Sequence, residues 1–267
     1  MREHFFGDHP YKHGALGNIP SLEKLDLEAI KKHHNRLVNG NNFVMAISGD
    51  FDKKGILELI SPWVEKMPNE YFQNHKELIF DGPRPAKYEE YLDKEQVVVL
   101  QAYPGLSVID EKFEVSEVLD GILSGMSSQL FINIREKLGM AYYVGSSCMA
   151  GLNTGMFYLY VGTNTENYKK VIDVLNEEIE RIKRGEIETE ELERVKTHLK
   201  SMNRLSLQAL GSLGNRVVLD ALYDLPINRW KDFDNRIDVV DKDAIVDFVN
   251  ENFQESLKVQ FVAGPLR

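Results

Sequence analysis

Cysteine is nearly absent from this 267-residue sequence, which contains only Cys148. A single thiol cannot form an internal disulfide, so no covalent framework stabilises the fold, and the scarcity indicates a reducing compartment. Long apolar runs are absent as well, and the first residues, Met1 to His4, are charged rather than signal-like. Because a membrane-spanning helix needs about 20 mostly apolar residues, we expect a soluble protein without a membrane span.

Positive charge is in short supply. The sequence holds 32 Lys and Arg against 42 Asp and Glu, a formal net charge of −10, and no local Lys/Arg cluster offsets it. Binding to a phosphate backbone depends on such a cluster, so nucleic acid is excluded as an expected partner. With 43% hydrophobic and 28% charged residues, the composition is that of a folded chain of one large domain or two smaller ones.

The motifs of common hydrolases and nucleotide-binding enzymes are missing. No glycine-rich loop ends in Lys-Ser or Lys-Thr, no G-x-S-x-G elbow occurs, and neither H-E-x-x-H nor H-x-x-E-H is present. Cys148 has no motif around it and lies in a predicted strand, which favours an inert packed thiol over a nucleophile. The residues alone therefore nominate no catalytic group.

Histidine spacing does not predict a metal site. His9 and His13 are four residues apart, but the proline and glycines around them argue against the helix that would align them. Glu3 and His4 would complete H-x-x-E-H only if a histidine stood immediately before Met1. The other histidines are expected to be surface or boundary residues: His33, His34, His75 and His198.

The first part of the chain shows helix, strand and helix signals in turn. Asp26 and Asp52 are candidate N-caps, each followed by a helical spacing of apolar residues. Between these helices, Phe43 to Ile47 is an apolar run typical of a strand covered on both faces. Residues 69–86 are polar and rich in proline and glycine, so we interpret them as a linker.

Residues 87–267 show a strand pair, helices, a hairpin, more helices and a last strand. The predicted elements are strands at 88–92 and 96–103, helices within 113–137, hairpin strands at 142–149 and 156–162, a helix capped by Thr165, a helix opened by Thr189 with a bend near Gly211 or Gly214, a helix capped by Asp241, and a strand at 257–262. This order predicts an α+β domain in which helices are layered on a sheet.

Three collinear segments carry the most specific signal. They are Gly7 to Tyr11 followed by Asn42 to Asp52, then Ser127 to Phe131 followed by Arg135 to Tyr142, and finally Glu190 to Lys196. Together they resemble the insulinase-like (pitrilysin, mitochondrial-processing-peptidase type) family of zinc metallopeptidases. The second segment is the most specific, because it is similar to the arginine and tyrosine motif of the family's second domain.

The resemblance implies a layered α+β fold and a division of the chain. Residues 1–68 would be the C-terminal part of the first, zinc-bearing domain, 69–86 a linker, and 87–267 the second, substrate-holding domain. In the family the H-x-x-E-H helix and a third ligand precede the segment that resembles Gly7 to Tyr11. We therefore expect that the sequence begins within a longer one, that it holds no metal ligand, and that zinc belongs to the complete protein or a partner chain.

The same resemblance implies substrate-binding roles for Arg135 and Tyr142, because this arginine and tyrosine in the family hold the substrate backbone near the zinc. Guanidinium and phenol groups are strong donors that can hold a peptide carbonyl. Gly139 would permit the tight turn between them. Without the motif, an arginine near a helix end would only complement the helix dipole, and a tyrosine at a strand start would only pack.

The resulting hypothesis is the C-terminal, substrate-binding part of a zinc-dependent peptidase that hydrolyses peptides or small unfolded proteins and is inactive by itself. Its expected partners are an extended peptide, added as a strand to an exposed sheet edge, and a zinc-bearing N-terminal half or partner subunit. Self-association into a homo-oligomer is also expected, because an incomplete first domain would expose apolar surface. The alternative is a non-catalytic partner subunit or scaffold of the same fold.

Overall fold

A computed structural model describes residues 1–69 and 79–266, which form two compact units. Unit 1 comprises Met1–Lys12, Ile79–Asn203 and Asp232–Arg267, and unit 2 comprises His13–Leu78 and Arg204–Lys231. This division does not test the expected boundaries of the homologous domains, which stay a prediction. Most of the predicted linker, residues 70–78 with His75, lies outside the described residues.

In the described chain, four α-helices precede the first strand, and the five strands are then separated by further helices or by short turns. The α-helices are α1 (Arg2–Phe6), α2 (Ile19–Leu22), α3 (Leu27–Leu37), α4 (Lys53–Val64), α5 (Phe113–Leu123), α6 (Tyr168–Lys183), α7 (Thr189–Ser206), α8 (Leu210–Leu222), α9 (Phe233–Asp238) and α10 (Lys242–Asn252), with a π-helix at Phe131–Lys137. The strands are β1 (Ala86–Tyr91), β2 (Val97–Gly105), β3 (Ala141–Ala150), β4 (Gly155–Thr163) and β5 (Val259–Gly264). Within the described residues no helix is both long and apolar enough to cross a membrane.

Unit 1 is built on one mixed sheet in the order β1-β5-β2-β4-β3. Strands β1 and β5 run parallel, and the other neighbouring pairs are antiparallel. The predicted strand pair, hairpin and closing strand are confirmed, as is the α+β class. Strand β3 pairs with β4 on one side only, so within the described residues its other edge has no strand partner.

The main core lies between one face of this sheet and the helices. Register brings Val99 of β2 beside Val161 of β4 and Val262 of β5, and all three side chains are buried. Helices α5, α6 and α10 cover them through Val118, Leu119, Ile122, Val171, Leu175, Ile179, Ile245 and Val249. Burying each such side chain stabilises the fold by roughly 1.5–3 kcal/mol, which makes this core the main support of the sheet.

A smaller apolar cluster lies on the opposite side of the sheet. Phe5 and Phe6 of α1 are buried against Ala102 of β2, Met156 of β4 and Val259 of β5. Helix α1 has only five residues and no side-chain cap, so local signals for it are weak. The burial of its two phenylalanines explains why the segment is helical in spite of that.

The two helices predicted in unit 2 are confirmed with their caps. Asp26 Oδ1 accepts the backbone N–H of Ala29 at 2.7 Å, and Asp52 Oδ2 accepts that of Gly55 at 2.7 Å. Each bond satisfies a donor that the first helical turn leaves without a partner, and such a cap stabilises a helix by about 1 kcal/mol. Helices α3 and α4 therefore begin where the sequence indicates.

The prediction of a strand between these two helices is wrong. Residues 43–47 belong to no strand, and Phe43, Met45 and Ile47 are exposed. An extended segment becomes a strand only when a neighbouring strand satisfies its N–H and C=O groups. No such neighbour exists for it among the described residues of unit 2, so the apolar run lacks the sheet that its composition predicts.

Two helix boundaries also differ from the prediction. Thr165 does not cap α6, which begins at Tyr168; the Asn164 side chain instead accepts the N–H of Asn167 at 2.9 Å. The predicted bend near Gly211 or Gly214 is a break, because α7 ends at Ser206 and α8 begins at Leu210. The sequence predicts a helix correctly in both regions, but turns between neighbouring residues determine where α6 begins and where α7 ends.

Candidate functional site

The segment that carries Arg135 is a π-helix of seven residues rather than a regular α-helix. Ser128 stabilises the N-terminal end of this helix, because its hydroxyl accepts a hydrogen bond from the N–H of Phe131 at 3.1 Å and donates one to the carbonyl of Gly125 at 2.9 Å. Ile134 is fully buried and anchors the helix to the core of unit 1. π-Helical turns are rare and frequently occur at functional sites.

A tight turn joins this helix to β3. Gly139 has a positive φ of 59°, a conformation that favours glycine. The N–H of Met140 donates to the carbonyl of Ile134 at 2.9 Å, and the Thr163 hydroxyl of β4 donates to the carbonyl of Met140. The predicted context is thereby confirmed: Arg135 lies in the last turn of a helix and Tyr142 near the start of the next strand.

Tyr142 occupies a bulge in the strand. Ala141 pairs with Thr163 and Tyr143 with Gly162, so Tyr142 is the additional residue between two successive pairs. A bulge redirects the side chain of the inserted residue, and that of Tyr142 is 58% exposed. Its phenol is therefore available to a ligand and is not part of the core.

Arg135 is exposed as well. Its guanidinium carbon lies 5.1 Å from the centroid of the Phe131 ring, one turn earlier on the same helix. No ion pair to Arg135 occurs within the described part of the chain. Arg135 and Tyr142 thus lie on either side of the Gly139 turn, and both are exposed.

The free edge of β3 begins beside this turn. The N–H of Ser146 donates to the hydroxyl of Ser124, so the polar backbone groups of Ser146 point away from β4. In an antiparallel ladder the outward-pointing residues alternate, so Val144 also presents its N–H and C=O on this edge. Among the described residues, no backbone group forms a hydrogen bond with the N–H or C=O of Val144 on this edge.

Sequence reasoning missed a polar cluster behind this edge. The Ser146 hydroxyl donates to Asp120 Oδ1 at 2.5 Å, and the Ser124 hydroxyl lies 3.1 Å from that of Ser146. Burial raises the pKa of the Asp120 carboxyl, and hydrogen bonds from Ser146 and Ser124 oppose that rise. The three residues come from a helix, the loop after it and a strand, and no local motif joins them.

Tyrosines lie over two glycines on the other face of the same strands. A Cβ at Gly162 would be 2.3 Å from Cε1 of Tyr143, and a Cβ at Gly145 would be 2.9 Å from the hydroxyl oxygen of Tyr160. Gly162 therefore permits the close approach of the Tyr143 ring, and a side chain at position 145 would displace the Tyr160 hydroxyl. Burial raises the pKa of Tyr160, and the nearby Asp120 carboxyl adds to the rise.

The residues considered for other chemistry lie elsewhere. Cys148 is partly buried in β3, and burial raises the pKa of its thiol, which makes it a poor nucleophile. His9 Nδ1 accepts the N–H of Tyr11 at 3.2 Å. In residues 1–69 and 79–266 no group of three or more His, Cys, Asp or Glu side chains is arranged to hold a metal ion. The described residues do not fit a resident zinc ion.

Comparison with known proteins gives a consistent result. The family model described as "Peptidase M16 inactive domain" matches residues 24–199. An uncharacterized zinc protease of Rickettsia bellii (strain RML369-C) is 30% identical over 203 residues, which are 73% of this chain and 47% of that protein. The uncharacterized zinc protease YmxG of Bacillus subtilis (strain 168) is 24% identical over 264 residues, 97% of this chain and 63% of that protein.

Solved structures show the same fold. The crystal structure of a peptidase M16 inactive domain from Pseudomonas fluorescens superposes with a TM-score of 0.89 at 21% identity, over 100% of this chain and 64% of that one. The chain thus spans between about half and two thirds of the length of the proteins it matches.

Proposed function

This chain belongs to the peptidase M16 family, and from that premise we propose that it is the substrate-binding part of a zinc-dependent peptidase that acts on peptides or small unfolded proteins. In this proposal Arg135 and Tyr142 donate hydrogen bonds to carbonyl groups of an extended peptide, and the chain is not catalytic by itself. The observation that carries the proposal is the pair of exposed donors on either side of the Gly139 turn, at the start of an open strand edge.

The geometry of that edge supports peptide binding. An extended peptide can pair with the outward N–H and C=O of Val144, in the manner of a strand added to a sheet. Main-chain hydrogen bonds fix the direction and register of such a peptide, and the guanidinium and phenol then select carbonyls beside the turn. Arg135 suits this role because it holds no ion pair among the described residues that a substrate would have to break.

Zinc in this proposal comes from polypeptide outside this chain, either an N-terminal half or a partner subunit. Unit 2 supports the need for such a partner. None of its described hydrophobic side chains is fully buried, and several large ones are exposed: Leu57, Leu59, Trp63, Leu210 and Leu222. An apolar surface of this kind is typical of an interface, so we propose that it contacts that partner and drives homo-oligomers when the partner is missing.

A second candidate function is a non-catalytic partner subunit or scaffold of the same fold. The matching family model is itself described as an inactive domain, and the described residues contain no candidate metal cluster. Such a subunit would pair with a zinc-bearing chain without touching its substrate. The exposed Arg135 and Tyr142 favour the substrate-binding function over this alternative.

Peptide binding to the chain tests the proposal. A fluorescent extended peptide would be titrated against the wild type, Arg135→Ala and Tyr142→Phe, with anisotropy as the readout. We expect each variant to bind about tenfold more weakly, because a charge-assisted or phenolic hydrogen bond is lost. Arg84→Ala is the matched control, since Arg84 is also exposed but precedes β1, at the opposite edge of the sheet from β3.

The outcome separates the two functions. Weaker binding by both site variants but not by Arg84→Ala supports a substrate-binding role. If the wild type binds no peptide, or if the site variants bind as well as the control, the substrate-binding function is wrong and the scaffold function remains. Peptide hydrolysis by the assembled complex gives a second readout, in which a loss below about tenfold, or about 1.4 kcal/mol, would count against the two residues.

A further inference from the structure

The middle of the β3 edge is already occupied by a side chain. The Ser124 hydroxyl accepts the N–H of Ser146 at 2.8 Å and lies 3.1 Å from the carbonyl oxygen of the same residue. These are the two groups that an added strand would use at this position. A serine hydroxyl thus takes the place of one residue of a neighbouring strand.

Ser124 is held rigidly in that place. It follows α5 directly, and the last turn of α5 is anchored by Ile122 and Leu123, both of which are buried in the core. Asp120, one turn earlier, accepts the Ser146 hydroxyl at 2.5 Å and so ties the strand to the same helix. Helix α5 is thus fixed to the core and to β3, so an incoming peptide would have to move the end of α5 before it could pair with Ser146.

The two parts of the edge consequently differ. Val144, two residues before Ser146, presents outward groups that no backbone group of the described chain occupies. Tyr142 and Arg135 lie beyond it, towards the Gly139 turn. A strand added beside the Gly139 turn can therefore pair with Val144, but its pairing is interrupted at Ser146.

We propose that Ser124 limits the length of peptide that pairs continuously with β3 from the Gly139 turn, so that a bound peptide forms strand hydrogen bonds with the outward groups of Val144 and diverges from the sheet at Ser146. This inference rests on the proposed peptide-binding function and adds a specificity determinant to it. Ser124 is a positioning residue here, because it excludes main-chain pairing and does not contact the peptide segment beside Arg135 and Tyr142. Substrate length beyond the open part should then add little to affinity.

Hydrogen exchange tests, without any peptide, whether the Ser124 hydroxyl occupies the N–H of Ser146. In the wild type the Ser146 amide should be protected, and Ser124→Ala should increase its exchange rate by about tenfold or more. Ser127→Ala is the matched control, because the Ser127 hydroxyl bonds Arg194 at 2.9 Å and not the strand. Unchanged exchange of Ser146 in Ser124→Ala would overturn the inference.

Peptides of two lengths test the consequence. The probes are fluorescent peptides of alternating threonine and valine, about four and about eight residues long, N-methylated on one edge so that they cannot pair with each other. For the wild type we expect a gain of about twofold or less from the longer peptide. For Ser124→Ala we expect the longer peptide to gain about fivefold more, because Ser146 then offers two further hydrogen bonds.

The possible failures are distinguishable. If the wild type binds both peptides and already gains as much from length as Ser124→Ala does, the inference is overturned while the peptide-binding function stands. If neither protein binds either peptide, the proposed function fails and the inference falls with it. If the longer peptide binds more tightly than the shorter one only in Ser124→Ala, and not in Ser127→Ala, the inference that Ser124 limits strand pairing is supported.

Discussion

The ring of Tyr11 lies where a side chain at position 151 would stand. A Cβ built on Gly151 would be 2.0 Å from Cε2 of Tyr11, and the Tyr11 hydroxyl accepts the N–H of Leu152 at 2.8 Å. The turn between β3 and β4 is thereby connected to the N-terminal segment, 141 residues earlier in the chain. The segment around Tyr11 is thus part of the packing of unit 1.

Gly151→Ala should destabilise unit 1, because the new methyl group overlaps the Tyr11 ring and forces it out of place. We expect a loss of about 1–3 kcal/mol in the free energy of unfolding, measured by urea denaturation.

The matched control is the same substitution in a Tyr11→Ala background. There the ring is gone, so the additional effect of Gly151→Ala should nearly disappear, and the two changes should be strongly non-additive. Equal effects of Gly151→Ala in both backgrounds would show that the overlap with Tyr11 is not the cause.

Local signals in the sequence predicted the elements better than their arrangement. Asp241 caps α10 as expected, with its carboxylate accepting the N–H of Ala244 at 2.8 Å, because such a cap depends only on nearby residues. The position of β5 between β1 and β2 could not be predicted, since it depends on pairing between the end of the chain and strands more than 150 residues earlier. Phe43 to Ile47 fails for the same reason: the local sequence is typical of a strand, but no neighbouring strand pairs with it among the described residues of unit 2.

Asp120→Asn should change how stability depends on pH. Burial raises the pKa of Asp120 in the folded state above its unfolded value, so its ionisation opposes folding. Its contribution to stability is fully present below the unfolded pKa, about 3.9, and is lost as pH rises through the raised folded pKa. The asparagine variant has no such loss, so its stability relative to the wild type should increase from pH 4 to pH 7, as measured by urea denaturation at both values.

Ser116→Ala is a suitable control for that experiment, because its hydroxyl bonds the carbonyl of Phe113 on the same helix and carries no charge. Its effect on stability should be independent of pH. A constant difference between Asp120→Asn and the wild type across the same pH range would contradict the assigned direction of the pKa.

The thiol of Cys148 should react slowly in the folded protein. Burial raises its pKa, the Asp120 carboxyl adds to the rise, and the thiolate is the reactive form. With a thiol-specific disulfide reagent near pH 8 we expect labelling at least about 100-fold slower than in urea, where the residue is exposed. Because Cys148 is the only cysteine, the signal has one source. Equally fast labelling of both states would contradict the burial argument.

The candidate site was only partly predictable for the same physical reason as the fold. Arg135 and Tyr142 were nominated through the family motif, and the Gly139 turn between them through its local sequence. The bulge at Tyr142 depends on the register between β3 and β4, and the bond from Ser146 to Ser124 joins residues 22 positions apart. Neither has a local sequence signal, and both decide which part of the strand edge is open.

The ion pairs of α6 offer a test of how burial determines the value of a charge. Arg181 lies between Glu178, at 2.8 Å, and Glu191 of α7, at 3.2 Å, and all three side chains are largely buried. Arg181→Met removes the cation and leaves two carboxylates with little water around them. We expect a loss of about 2–3 kcal/mol at pH 7, by urea denaturation, because an uncompensated buried charge is costly.

Arg184, three residues later on the same helix, provides the contrast. It pairs with Glu177 and Glu186 at 3.0 and 2.6 Å but is exposed, so Arg184→Met should leave the unfolding midpoint nearly unchanged.

The effect of Arg181→Met should also depend on pH. Burial already raises the pKa of Glu178, with Arg181 opposing the rise, so removing Arg181 should raise that pKa further. The loss in Arg181→Met should therefore shrink as pH falls and Glu178, whose pKa is raised, takes up a proton, and a loss independent of pH would indicate lost packing instead of lost charge.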